Sequence, residues 1–244
     1  MDPEELLKQI QEAMNEGLLV QLYRAASVSP DEVLKSLRQR GLEVFSLGEI
    51  WRVPTPLLDA AVDEHLTAKS RSTGLVSGAF SAGGLVTLLP ELIWQVTTLL
   101  RLGQRVALTY GEEVTTPKGR LDLWQNLAAA LSIKVDLEGV ESDLKLNLPM
   151  VVGTSPMRDP MLVRLAEMVM FGLAMRMASQ AIRLVPMLGA GLGGLRTYRQ
   201  TRQYGEQFKT IYRNLHQLRH VNLSELEMSQ ETAFTLVAGG PVRS

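Results

Sequence analysis

The chain has 244 residues, of which 45% are hydrophobic and 21% are charged, and its formal net charge is −1. This composition is typical of a globular protein and excludes a disordered chain. Because the sequence has no cysteine, disulfides and thiolate metal sites are excluded as well.

The first part of the chain predicts three amphipathic helices over residues 1–70. Each helix has a proline in its first turn, and the three starts are Asp2-Pro3, Ser29-Pro30 and Thr55-Pro56. Gly41 closes the second of these helices. The acidic start of the chain lacks the basic and apolar regions of a signal peptide, and no window offers the roughly 18 uninterrupted apolar residues of a simple membrane span. We therefore expect a cytoplasmic protein.

Two glycine-rich apolar segments follow, and each leads through helical sequence to a Tyr-Gly pair. The first segment, residues 74–84, leads to Tyr110-Gly111, and the second, residues 189–194, leads to Tyr204-Gly205. Their small-xxx-small spacings let helices approach closely, either inside a core or as a hairpin that dips into a membrane interface. The predicted helix-packing glycines are Gly74, Gly78, Gly83, Gly84, Gly189 and Gly193.

The middle of the chain combines helical sequence with one strand-like pattern. An apolar helix is predicted from about Pro90 to Tyr110, and another begins at Thr116-Pro117. The stretch 133–148 contains two runs that alternate between apolar and polar side chains, which is the period of a strand. A short β-hairpin and an irregular loop with a helical turn are both compatible with this pattern.

The last part of the chain predicts two long helices. One runs from Asp159-Pro160 to about Val185, and the other from about Leu195 to His220. Residues 223–244 form a polar tail that we expect to be mobile. The sequence as a whole predicts a mainly α fold, with one multi-helix domain over residues 1–222 that contains glycine-rich, hairpin-like helical segments.

The last predicted helix carries a basic stripe. On a helical wheel, six side chains share about one quadrant: Arg199, Arg202, Lys209, Arg213, His216 and His220. Four apolar side chains lie on the opposite side: Phe208, Ile211, Leu215 and Leu218. Either the helix is an ordinary surface helix whose apolar side faces the core, or its four arginines and lysines contact anionic lipid or an acidic partner. Nucleic acid is not expected, because the chain is not basic and contains no recognised nucleic-acid module.

No motif identifies a catalytic residue, a cofactor or a metal. Residues 189–194 have the spacing G-x-G-x-x-G but lack the βαβ context that a dinucleotide needs. Ser81 loosely resembles a nucleophile elbow, which requires a partner histidine, and the chain offers only His65, His216 and His220. The last two have the i, i+4 spacing of metal ligands, but no acid accompanies them in the H-E-x-x-H manner. Because both fall on the basic stripe, we expect His216 and His220 to be solvated residues of a helix face. We therefore expect no cofactor and no metal, and the catalytic residues, if any, stay unknown.

Several of these segments occur in the same order in a known family. The first part of the pattern is a glycine-rich run, a proline-acid turn at Pro90-Glu91, a long apolar helix and Tyr110-Gly111. The second part is the segment from Pro186 to Ala190, followed by a basic helix with Tyr198 and Tyr212. In this pattern the chain resembles bacterial proteins of the EcsC family over most of residues 1–220. It departs from the family at Glu91, where aspartate is frequent.

The resemblance implies a role at a membrane surface and no defined active site. The family takes its name from a protein encoded beside an ABC transporter linked to secretion, and a similar helical unit accompanies bacterial GTPases. We therefore expect a non-enzymatic, peripheral membrane- or transporter-associated accessory protein at the inner face of the cell membrane. Its partner would be anionic lipid or a membrane protein complex. Two alternatives stay open: a hydrolase that uses Ser81 or an acid near it, and a soluble homo-oligomeric scaffold that associates through its glycine segments.

Overall fold

A computed structural model describes residues 8, 12, 16–80, 88–133, 160–181 and 189–238. From residue 16 onward these ranges contain eight helices, and no β-strand occurs in the described residues. The predicted mainly α fold is therefore confirmed over this part of the chain. The helices are α1 (Glu16–Ala26), α2 (Pro30–Arg38), α3 (Leu47–Ile50), α4 (Thr55–Phe80), α5 (Leu88–Thr109), α6 (Pro117–Ala130), α7 (Pro160–Ala181) and α8 (Gly189–Ala238).

Local signals start and stop several helices where the sequence predicts. Pro30 is the first residue of α2, and Gly41 follows that helix with a φ of +83°, a left-handed conformation that glycine adopts without strain. Thr116 precedes Pro117 at the start of α6, and its hydroxyl accepts a 3.0 Å hydrogen bond from the Gly119 amide. The predicted starts of α2, α4 and α6 are confirmed, whereas the start predicted at Asp2 lies outside the described residues.

Helices α4 and α8 form an antiparallel pair, which is the most extensive helix contact in the described part of the chain. Moving about one turn back along α4 corresponds to moving about one turn forward along α8. The C-terminal end of α4 is thereby directed toward the N-terminal end of α8. Four contacts define this pairing: Leu66 with Gly205, Asp63 with Lys209, Asp59 with Arg213, and Thr55 with His216.

The core lies between this pair and helices α5 to α7. Its largest fully buried side chains include Trp124 of α6, Tyr110 directly after α5 and Phe208 of α8. Gly103 brings these helices together, because a Cβ at this position would lie 3.0 Å from side-chain atoms of both Leu123 and Phe208. The missing side chain thus lets α5 approach α6 and α8 closely, which increases the apolar area removed from water.

Both glycine-rich segments contribute residues to helices. Helix α4 continues through Gly74 and Gly78 to Phe80, and α8 begins at Gly189, before the predicted start at Leu195. A glycine in a helix interior costs about 1 kcal/mol relative to alanine. The helical conformation of these segments therefore depends on contacts beyond local propensity.

Helix α8 is also longer at its other end than the sequence analysis predicted. It continues to Ala238, past His220 and through most of the segment 223–244 that was expected to be a mobile tail. No glycine or proline occurs between Gly205 and Gly239, so the local sequence contains no helix breaker there. Three other predictions lie outside the described residues: the packing of Gly83 and Gly84, the possible hairpin beyond Ile133, and the helix after Ala181.

Candidate functional site

One end of the α4–α8 pair, which we call the polar end, holds a network around Tyr110. The Tyr110 hydroxyl donates a 2.6 Å hydrogen bond to Asp59 Oδ1, and Arg213 Nε lies 3.3 Å from Asp59 Oδ2. Tyr110 is fully buried. Its burial and its hydrogen bond to the carboxylate of Asp59 raise the pKa of the phenol, so the hydroxyl stays protonated. The network therefore links α4, α5 and α8 through one shared carboxylate.

His216 is the second component of the polar end, and it is completely buried. Its Nε2 lies 3.2 Å from the carbonyl oxygen of Ile50, and its Nδ1 lies 3.2 Å from the hydroxyl of Thr55. Because a carbonyl oxygen only accepts, Nε2 carries the proton and the Thr55 hydroxyl donates to Nδ1. Burial lowers the pKa of His216, so the ring is neutral and both of its nitrogens are occupied. The prediction that His216 is a solvated surface residue is wrong.

The Tyr110-Gly111 pair has a packing role at the same end. Gly111 has a φ of +83°, and a Cβ there would lie 2.6 Å from the indole ring of Trp51. The Trp51 indole N–H donates a 3.0 Å hydrogen bond to the Gly111 carbonyl, and the Arg219 guanidinium lies 4.8 Å from the indole centroid. Arg219 also pairs with Glu112 at 3.0 Å. Glycine is thus required at residue 111 both for its backbone angle and for the approach of Trp51.

The basic stripe of α8 is largely neutralised within the protein. Lys209 Nζ lies 2.5 Å from Asp63 Oδ1, and Arg213 is held by Asp59 in the network described above. Arg202 is exposed and lies 3.6 Å from Glu206 one turn further along the helix. The structure therefore leaves fewer cations available for a partner than the four that the sequence predicts.

The buried face of α8 lies between the basic stripe and the apolar stripe. Phe208 is fully buried as predicted, but Leu218, on the side predicted to face the core, is 64% exposed. The helix packs through residues that are small, aromatic or polar, because α4 and α5 supply partners for them. The buried positions recur at helical spacing: Thr201, Tyr204, Gly205, Phe208, Tyr212 and His216.

The opposite end of the α4–α8 pair, which we call the glycine end, differs in composition. Helix α4 ends there at Phe80 and α8 begins there at Gly189. The sequence contains no Asp, Glu, Lys or Arg in residues 74–89 or in residues 184–195. At a helical rise of about 1.5 Å per residue, extending the observed pairing places Gly78 and Gly193 at about the same level.

Two exposed arginines flank the glycine end. Arg71 lies on α4 and Arg199 lies on α8, and the antiparallel pairing places them within about one turn of each other. Neither forms an ion pair with another residue of the described ranges. Arg199 is therefore the member of the predicted basic stripe that is most available to a partner, and Arg71 is a neighbour that the stripe did not include.

A cleft of about 510 Å³ lies beside α1 and α6 and shares no lining residue with the polar end. Its lining includes Tyr23, Arg24 and Arg120. The Arg120 guanidinium lies 5.9 Å from the centroid of the Tyr23 ring, and the Tyr23 hydroxyl donates to the Arg120 carbonyl at 3.4 Å. Burial raises the pKa of Tyr23, so its hydroxyl is not a base at neutral pH. None of the predicted site residues lines this cleft.

The histidines do not gather at the end of α4 that precedes Ser81. Along the axis of α4, His65 lies about 22 Å from Phe80, and Thr55, the partner of His216, lies about 37 Å from it. A general base must come within about 3 Å of the hydroxyl that it activates. Ser81 itself lies outside the described residues. Among the described residues, no group of three histidine or carboxylate side chains is arranged to hold a metal ion.

Comparison with known proteins gives one match. No curated protein and no solved structure matches the sequence. In the described part of the chain, no helix has both the length and the apolar character that crossing a membrane requires. The model of the EcsC protein family, however, matches residues 1–220. Because this match spans most of the chain, as the resemblance predicted, the protein belongs to the EcsC protein family.

Proposed function

We propose that this protein is a non-enzymatic accessory protein that associates peripherally with the inner face of the cell membrane through its glycine end. One observation carries the proposal. Two charge-free, glycine-rich segments that are far apart in sequence are directed to the same end of the α4–α8 pair, and exposed arginines flank that end.

The dimensions of the glycine end suit shallow insertion into one leaflet. The charge-free part of α4, from Gly74 to Phe80, is about 10 Å long at the rise of an α-helix. Interfacial helices bury their apolar surface about 5–10 Å into the boundary between headgroups and acyl chains. Insertion to this depth would leave Arg71 and Arg199 near the phosphate groups.

The two arginines would supply the electrostatic part of the binding. A cation close to an anionic bilayer contributes about 1 kcal/mol, and the attraction is screened by salt. Lys209 and Arg213 would contribute less, because Asp63 and Asp59 already neutralise them. The proposal therefore places the contact at the N-terminal part of α8 and not along the whole basic stripe.

The test is flotation with vesicles of phosphatidylcholine, with or without phosphatidylglycerol, at low and at high salt. We expect binding to the anionic vesicles at low salt and release at high salt. Removing both arginines by Arg71→Ala and Arg199→Ala should weaken partitioning about 30-fold, at about 1 kcal/mol for each cation. The control is Arg24→Ala, which replaces an exposed arginine in the cleft beside α1 and α6.

An absence of binding to anionic vesicles at every salt concentration would exclude the lipid contact. Equal loss of binding in the Arg24→Ala control would show that net charge matters and the glycine end does not. The positions of His65 and His216 give no support to a hydrolase at Ser81. The homo-oligomeric alternative is tested separately, because light scattering of the protein in lipid-free buffer reports its mass.

A further inference from the structure

A small cavity between α2, α4 and α5 is lined by basic and hydroxyl side chains. Its volume is about 120 Å³, several times the roughly 10–15 Å³ that one water molecule needs. None of the residues that form the polar end lines this cavity. Its polar lining consists of Ser36, Arg40, Glu64, His65, Arg105 and Thr109.

Arg105 is the group in this cavity that most lacks a counterion. It is partly buried, and its guanidinium forms no hydrogen bond or ion pair with another described residue. Burial lowers the pKa of Arg105, and repulsion from Arg40 and Arg101 adds to this effect, with only Glu32 opposing it. A partly desolvated guanidinium is costly when no hydrogen-bond or ion-pair partner is found in the described part of the chain, so this site would gain stability from an anion.

Cations outnumber carboxylates around the cavity. The carboxylate of Glu64 is already paired with Arg40, at a distance of 2.9 Å between Oε2 and Nη2. The groups that act on one another here are four cations, Arg40, Lys69, Arg101 and Arg105, and two carboxylates, Glu32 and Glu64. The cavity therefore has an excess of positive charge in a partly enclosed space, where electrostatic attraction is stronger than in bulk water.

The pKa of His65 responds to the positive charge around the cavity. Its burial lowers its pKa to about 4, and the nearby Arg105, Lys69 and Arg40 contribute to the shift. The His65 ring, which lines the cavity from α4, is thus neutral at physiological pH. An anion bound among the same cations would offset their repulsion and raise the pKa of His65.

We propose that this cavity binds a phosphate-class oxyanion, with Arg105 as its main ligand and Arg40 and His65 beside it. A guanidinium matches the geometry of a tetrahedral oxyanion, since it can donate two parallel hydrogen bonds. The Ser36 hydroxyl, which lines the same cavity, is a further donor. The proposal stands independently of the membrane contact, because none of these residues belongs to the glycine end.

The experiment measures thermal stability and the NMR titration of His65 in chloride, sulfate and phosphate at equal ionic strength. Sulfate and phosphate should raise both the melting temperature and the pKa of His65, and chloride should not. In the Arg105→Gln protein the anion affinity should fall at least about 10-fold, the loss expected for a charged hydrogen-bond donor. That variant should also melt no lower than the wild type in chloride, because it removes a partly buried cation that forms no ion pair with another described residue.

Two controls separate this site from other effects of salt. Arg24→Gln should keep the full response to sulfate, and so should the Arg71→Ala, Arg199→Ala protein that tests the membrane contact. An equal rise in melting temperature in chloride and in sulfate would overturn the proposal, because it would be a general effect of salt. So would a response to sulfate that Arg105→Gln leaves unchanged.

A second arm identifies the source of the phosphate group. Vesicles that contain phosphatidic acid are compared with phosphatidylcholine vesicles supplemented with inorganic phosphate. A His65 response to phosphatidic acid alone would assign the ligand to a lipid headgroup, and a response to the inorganic ions would assign it to free phosphate or a small phosphate ester. No response of His65 in either arm would overturn the proposal.

Discussion

The two ends of the α4–α8 pair differ in what holds the same two helices together. At the polar end, directional contacts connect Asp59, Tyr110, Arg213 and His216 to specific partners. At the glycine end, both helices lack charged residues altogether. The polar end therefore fixes the register of the pair, and the glycine end is left without electrostatic partners of its own. This difference assigns a role in stability to the polar end, and it is the basis for proposing the membrane contact at the glycine end.

The largest effect should come from His216. Its replacement in His216→Ala removes a fully buried ring and leaves the Thr55 hydroxyl and the Ile50 carbonyl without their partner. We expect a loss of about 3 kcal/mol in the free energy of unfolding, measured by urea denaturation. His220→Ala, one turn away and partly exposed, is the matched control and should cost less than about 1 kcal/mol. Equal losses would contradict a structural role that is specific to His216.

The Tyr-Gly pair should be sensitive at its glycine. Gly111→Ala places a Cβ against the Trp51 ring and the Leu47 carbonyl at a positive φ. The expected loss is about 2–3 kcal/mol in urea denaturation. Gly48→Ala is the control, because Gly48 is helical and a Cβ there meets no atom within 4 Å. A Gly111→Ala protein as stable as wild type would contradict the packing described for the polar end.

Acid should destabilise the protein through two histidines, the buried His216 and the partly buried His65. The pKa values of His65 and His216 are lowered in the folded state, so the unfolded chain binds more protons once the pH falls below about 6.5. Their contribution to stability is complete above that pH and is lost as the pH falls through the lowered pKa of each ring, which for His65 is about 4. The melting temperature should fall across this range. For His65, the loss in the free energy of unfolding should be about 1–2 kcal/mol after allowance for its partial exposure. The melting temperature should change less with pH in His65→Gln. An unchanged dependence on pH would contradict the lowered pKa of His65.

Tyr110→Phe isolates one hydrogen bond of the polar end. The variant keeps the buried ring but removes the donor to Asp59, whose carboxylate retains Arg213. We expect a loss of about 1 kcal/mol in chemical denaturation. A second substitution at Arg213 should then cost more in Tyr110→Phe than in the wild type, because the Asp59 carboxylate would lose the partner that it retains. Strict additivity would show that the two contacts are independent.

The smallest effects should come from the cations of α8. Lys209→Met removes an ion pair that is partly shielded from solvent, and it should cost up to about 1 kcal/mol. Arg199→Met, which breaks no ion pair among the described residues, should lie within about 0.5 kcal/mol of wild type. The order should reverse in vesicle binding, which Arg199→Met should weaken more than Lys209→Met does. Equal effects of the two variants on vesicle binding would remove the distinction between the two ends.

Local sequence signals predicted the helix starts, but tertiary contacts decided which faces are buried. Pro30 and Thr116-Pro117 act on their own first turns, so their effect is visible in the sequence alone. The burial of His216 depends on Thr55 and the Ile50 carbonyl, which are far away in the chain. Hydrophobicity ranks leucine above histidine, and it therefore predicted the wrong orientation for Leu218.

One signal in the sequence could have identified the pairing. Asp59 and Asp63 on α4 have the same i, i+4 spacing as Lys209 and Arg213 on α8. Two complementary charge pairs with matching spacing on two long helices indicate an antiparallel contact, and they would have shown that half of the basic stripe is neutralised. The cavity at Arg105 could not have been found in this way, because its cations come from α4, α5 and the turn after α2, which only the fold brings together.

Depth-dependent quenching tests most directly whether the glycine end enters the bilayer while the polar end stays outside. The chain has no cysteine, so a single fluorescent label can be attached to Ser77→Cys at the glycine end or to Gln217→Cys near the polar end. Brominated lipids in anionic vesicles should quench the label at residue 77 and leave the label at residue 217 unchanged. Equal quenching at the two positions, or none at residue 77 in vesicle-bound protein, would contradict the assignment of the membrane contact to the glycine end.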